Sequence, residues 1–163
     1  MARGEIEVRR ADTIVNELDR LRQAISRRAY DLFRNGGTVW GGAMTDWLTA
    51  ERELASKPAV ELRQKGSQFE VLAALPGIEA KDLDVQITPE DLLIKAESTR
   101  EHTTDTGTVH LCEFDRGKIF RSIHFPERID PNSAKAEYRN GMLHVTASIA
   151  KAATVQKVEI KAA

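Results

Sequence analysis

The chain has 163 residues, room for one domain with appendages and a real core, and its 24 basic against 25 acidic residues leave a net charge of −1. That balance recruits neither nucleic acid nor an anionic membrane, and no basic stripe with interleaved aromatics is present. No apolar run approaches the roughly 20 residues that span a bilayer, Met-Ala-Arg-Gly-Glu is too charged to begin a secretory signal, and the single cysteine, Cys112, has no internal partner, so a soluble cytoplasmic protein is expected.

In chain order, the first periodic segment runs over about 12–34. Ile14, Leu18, Leu21, Ile25, Ala29 and Leu32 fall at steps of three and four, which predicts an amphipathic helix with Asp12 as N-cap and Gly36-Gly37 as its stop. A second helix is expected over about 45–56, carrying Trp47, Ala50, Glu51 and Leu54 and ending near Lys57-Pro58, with the Gly36-Gly37 and Gly41-Gly42 pairs between the two. Two short helices with one apolar face each must bury it on each other, on the following domain or on another chain. They read either as a simple cap on that domain or as a surface for assembly and for binding unfolded chains.

From residue 60 the period falls to two: Val60-x-Leu62, Phe69-x-Val71, Val85-x-Ile87, Leu92-x-Ile94, Ile119-x-Arg121-x-Ile123 and Leu143-x-Val145. Short alternating strands separated by turns indicate an immunoglobulin-like antiparallel β-sandwich. Pro76-Gly77 marks one turn, and Asn140-Gly141 offers the two positive-φ positions that a type I′ hairpin requires. Between Ile94 and Pro126 lies a long connection whose middle, Thr108 to Phe114, has the makings of one extra strand. The chain then divides into a helical arm over 1–57, a sandwich over 58–149 and an extension over 150–163. In the extension Val158 and Ile160 stand one strand period apart, and composition alone reads them equally well as a last sandwich strand.

Two blocks carry a resemblance. Leu75-Pro76-Gly77-Ile78 with Asp82-Leu83-x-Val85-x-Ile87, then Phe120-Arg121 ahead of Pro126, then Ala136-x-x-x-Asn140-Gly141-x-Leu143-x-Val145, resemble the α-crystallin domain of bacterial small heat-shock proteins over about 58–148. Arg28-Ala29-Tyr30-Asp31-Leu32-Phe33 and Asp46-Trp47-Leu48-x-Ala50-Glu51 are similar to a short helical module of unknown function that precedes the domain in some relatives.

The resemblance implies several roles. Val158 and Ile160 match the family's tail motif, which docks in a groove of a neighbouring subunit, here lined by Leu83, Val85 and Ile87 on one strand and Ala136 and Tyr138 on another. The long connection is expected to cross to a partner, making Val109, Leu111 and Glu113 dimer contacts. It departs from the family pattern, with Ala96 for a common glycine and Val-His-Leu-Cys for an aromatic, arginine-rich run. Arg121 matches the family's interface arginine, with Glu97, Glu101, Asp105 and Glu113 as candidate carboxylate partners, although an arginine on a strand is more often a solvated surface residue. Ile14, Leu18, Leu21, Ile25, Leu32, Phe33, Trp40 and Trp47 are the candidate client-binding side chains.

Enzyme chemistry finds little support. His102, His110, His124 and His144 are scattered, there is no Gly-rich phosphate loop, nucleophile elbow or HExxH, and His110 with Cys112 reads better as part of a half-buried strand than as an activated thiol. No cofactor or metal is expected. The expected function is an ATP-independent holdase chaperone that forms dimers and larger homo-oligomers and binds unfolded clients, with no nucleic acid and no membrane span. The alternatives are a monomeric co-chaperone-like adaptor for one folded partner and, less directly, a membrane-surface or granule coat.

Overall fold

The computed structural model describes residues 4–11, 13–36, 42–97, 107–108, 110–111 and 118–151. Two short strands open it, β1 (Gly4–Ile6) and β2 (Val8–Arg10), followed by helices α1 (Val15–Gly36) and α2 (Gly42–Leu54). Then come β3 (Val60–Lys65), β4 (Gln68–Ala74), β5 (Leu83–Ile87), β6 (Asp91–Glu97), β7 (Lys118–His124), β8 (Lys135–Arg139) and β9 (Met142–Ser148). They form two sheets, one of five strands ordered β1-β8-β9-β4-β3 and one of four ordered β2-β5-β6-β7.

The sandwich follows directly from the two-residue period. Along β4 and β9 every second residue is buried, placing Phe69, Val71, Ala73, Leu143, Val145 and Ala147 on the inner face. Val85, Ile87, Leu92 and Ile94 close the core from the other sheet, and the Phe69 and Phe125 rings meet 5.6 Å apart in a tilted pair. The sheets are antiparallel as expected except for one pair, β2 with β5, which is parallel.

The helices deviate from their expected ends by a few residues. Asp12 lies outside the described residues, and the Val15 amide donates to the Thr13 hydroxyl at 3.1 Å, so Thr13 supplies a helix-start hydrogen bond. α1 ends at Gly36, while α2 begins three residues ahead of Thr45 and closes at Leu54. Ile25, Ala50 and Ala55 form the centre of a second, smaller cluster that includes Leu21, Ala29, Leu32, Trp47 and Leu54 and reaches the sheet through Phe120. Arg28 Nε donates to Glu53 across the helix pair at 2.6 Å, and Ser56 carries the chain onto β7, its amide donating to the Lys118 carbonyl at 3.0 Å. The arm therefore lies over the outer face of the four-stranded sheet, where Leu93 is fully buried although it points away from the sandwich core.

The opening strands are the feature that sequence reading missed. A periodic pattern is invisible in two three-residue strands, and residues expected to belong to a helical arm are instead part of both sheets.

Candidate protein-binding groove

Both signature blocks meet at one corner of the sandwich. Asn140 and Gly141 take φ of 52° and 76°, the positive pair that a two-residue hairpin needs, and Gly77 takes φ of 80° at the other turn. The Leu75 amide donates to the Gly141 carbonyl at 2.7 Å, and a Cβ on Gly141 would stand 3.4 Å from the Pro76 Cα. The Tyr138 hydroxyl reaches the carbonyls of Leu75 and Ile78 at 2.8 and 2.9 Å. Burial raises the Tyr138 phenol above its ordinary value, because the charged form has lost water. The turn after β4 and the hairpin between β8 and β9 are thus latched together beside the place where β5 begins.

β8 and β5 are each the second strand from one edge of their sheets, the outermost positions being taken by β1 and β2. Of the five residues expected to line a docking groove, Leu83, Val85 and Ile87 lie on β5 and Ala136 and Tyr138 on β8; all but the half-buried Leu83 are buried. Those four belong to the sandwich core, and the chain's own opening segment pairs along both strands. β1 runs antiparallel to β8 with Ile6 opposite Ala136 and Gly4 opposite Tyr138, and β2 runs parallel to β5 with Val8 opposite Val85 and Arg10 opposite Ile87. One extended strap, crossing from sheet to sheet at Glu7, therefore covers an edge of each.

Ile6 is buried within the sandwich cluster and Val8 packs half-buried against it. Burying such a side chain yields roughly 1.5–3 kcal/mol.

Charge reinforces the strap. Arg9 clamps Asp84 with both arms of its guanidinium, Nε at 2.9 Å and a terminal nitrogen at 2.5 Å. Lys95 Nζ reaches the same carboxylate at 2.9 Å and Glu17 of α1 at 3.0 Å, and Gln86 donates to Asp84 at 3.1 Å. Partial burial works to raise Asp84, but the hydrogen bonds from Arg9, Lys95 and Gln86 outweigh it and hold the carboxyl below the usual carboxylate range. Arg10 pairs with Asn132, and the Ala11 amide donates to the Ile87 carbonyl at 2.9 Å before the chain turns into α1.

The helical arm supplies a second surface. Of the candidate client-binding side chains, Ile14 and Ile25 are buried, Leu21, Leu32 and Trp47 are half-buried in the arm's own cluster, and Leu18 and Phe33 are exposed. Trp40 lies outside the described residues. Sequence reading missed the exposed Val15, Tyr30, Met44 and Leu48, which fall off the main apolar stripe and look like solvent-face residues in the periodic pattern. A cavity of about 420 Å³ opens between arm and sheet, with Leu21, Leu54 and Phe120 on its walls and Glu17, Lys95 and Lys118 at its polar positions.

Arg121 sits on β7, the edge strand, opposite Ile94. Its neighbours Ile119 and Ile123 pack on the sandwich core, and its Nε is buried without a hydrogen-bond partner among the described residues. Leu111 is exposed. Val109, Glu113, Cys112, Glu101, Asp105, Val158 and Ile160 lie outside the described residues, and Glu97 is within 3.9 Å of Lys118. Among the described residues no cluster of His, Cys, Asp or Glu suits a metal, and no helix is long and apolar enough to cross a membrane.

Comparison with known proteins gives a consistent picture. The profile of the Hsp20/alpha crystallin family matches residues 61–161, and one described as a protein of unknown function (DUF2934) matches residues 20–56. Small heat shock protein C2 of Rickettsia felis is 29% identical over 104 residues, covering 64% of this chain and 68% of its own. The probable 15 kDa heat shock protein of Leptospira interrogans is 29% identical over 111 residues, covering 68% of this chain and 83% of its own. Among solved structures, heat shock protein 16.0 of Schizosaccharomyces pombe superposes with a TM-score of 0.54 at 27% identity, over 64% of this chain and 98% of that one. A small heat-shock protein of Xylella fastidiosa does so with a TM-score of 0.52 at 27% identity, over 64% and 96%.

Proposed function

Since this chain belongs to the Hsp20/alpha crystallin family, whose profile it matches over more than half its length, we propose that it is an ATP-independent holdase. It binds partly unfolded proteins through apolar surface and keeps them from associating with one another. The observation that carries this reading is a helical arm, packed on the sandwich, that presents Val15, Leu18, Phe33, Met44 and Leu48 to solvent.

Assembly follows from two features. Val158 and Ile160 dock in the β5–β8 groove of a neighbouring subunit, each dock weak and reversible, many together strong through effective concentration. The dimer forms through the long 98–117 connection, which pairs with a partner's open sheet edge. Among the described residues the outer edge of β3 pairs with no strand, which makes it a receptive template. Arg121, Val109, Leu111 and Glu113 belong to that dimer contact. The cytoplasm is the proposed compartment. Both client capture and assembly proceed without nucleotide, since the sequence offers no phosphate-cradling loop.

Capture is tested by heating a thermolabile reporter with this protein in nucleotide-free buffer and passing the soluble fraction over a sizing column. The reporter should elute with this chain in a particle larger than either alone. A reporter found in the pellet, or eluting by itself, would contradict holdase action and favour an adaptor for one folded partner.

A further inference from the structure

The groove is already occupied. Its occupant, Ile6-Glu7-Val8-Arg9, has the same chemical order as Val158-Glu159-Ile160-Lys161: an apolar residue, a glutamate, an apolar residue and a cation. Ile6 fills the β8 side against Ala136, Val8 lies opposite Val85 on β5, and Arg9 closes on Asp84. Laid in the same direction, a tail would bring Val158 to the place of Ile6, Ile160 to that of Val8 and Lys161 within reach of the same carboxylate. Two segments at opposite ends of one chain thus carry interchangeable side chains for one groove.

We infer that the opening strap is a resident competitor of the tail, so that the β5–β8 groove of each subunit holds either its own Ile6-Glu7-Val8 or a neighbour's Val158-Glu159-Ile160. This rests on the tail-docking reading above and adds the element that regulates it. In a dilute dimer the tethered strap holds the groove, whereas in a crowded assembly neighbouring tails reach a local concentration that displaces it. The exchange is coupled to the arm. Only residues 11–14 separate β2 from α1, and Lys95 joins Asp84, the strap's anchor, to Glu17 on α1. A subunit that accepts a tail therefore loses the tether that orders its arm, and the buried Ile14 and Ile25 become available with it.

The test uses the full chain with Val158→Ser and Ile160→Ser, so that its own tails are silent, and a fluorescent peptide of residues 154–163 titrated by anisotropy. Adding Ile6→Ser and Val8→Ser should tighten the peptide's Kd at least tenfold, because the competent fraction of grooves rises. Equal Kd with and without the strap changes overturns competition while leaving tail docking intact. No binding to either protein overturns tail docking and the competition with it. Should the serine pair impair folding, Arg9→Glu leaves the core untouched and places like charges at Asp84; it should tighten the peptide two- to fivefold, and an unchanged Kd there likewise overturns the proposal.

Discussion

Tyr138 shows how one side chain ties the signature blocks together. Its hydroxyl serves the carbonyls of Leu75 and Ile78 from a buried position, so Tyr138→Phe removes a donor from buried acceptors, a loss expected to cost about 1–3 kcal/mol in a denaturant titration. The pH dependence has a defined sign. Burial raises the folded phenol's pKa, so its contribution is complete below the unfolded value of about 10 and is lost as pH rises through the folded one. Stability of the wild type should fall above about pH 10, and the Phe variant should lose less over that window; parallel curves for the two would refute this assignment. Asn140 and Gly141 were readable in advance because a two-residue hairpin admits few residue types, whereas the 2.7 Å bond from Leu75 to Gly141 joins residues too distant in sequence for any local pattern to announce.

At the scale of elements, legibility tracks length. The seven-residue strands β4 and β9 show three full alternations each, and α1 repeats its apolar step over 22 residues, so both were visible as period alone. The strap was not, because three-residue strands carry one apolar residue each and their partners, β8 and β5, lie far along the chain. The signal that would have found it is the likeness of Ile6-Glu7-Val8 to Val158-Glu159-Ile160, which becomes informative only once the groove is seen. Changing Val158 and Ile160 together to Ala should shift the particle mass in multi-angle scattering toward the dimer. A mass equal to wild type would remove the tail from assembly.

For the whole molecule, the proposed assembly links the groove, the edge strands and the arm. The dimer is expected to depend on Arg121, half-buried on edge strand β7 with its Nε fully buried. Arg121→Ala should raise the dimer dissociation constant or provoke aggregation on mild heating. Wild-type assembly together with wild-type heat tolerance would return the residue to an ordinary surface role. The strands that the α-crystallin resemblance assigns to the docking site were legible in advance, while the strap that pairs with both of them was not, since that pairing depends on two sheet edges that come together only in the folded chain.

Light scattering from a thermally unfolding reporter, with and without this protein and in buffer free of nucleotide, tests the central claim most directly. Holdase action predicts that near-stoichiometric protein suppresses the rise in scattering. A reporter that aggregates at its unassisted rate across the full range of ratios would contradict it.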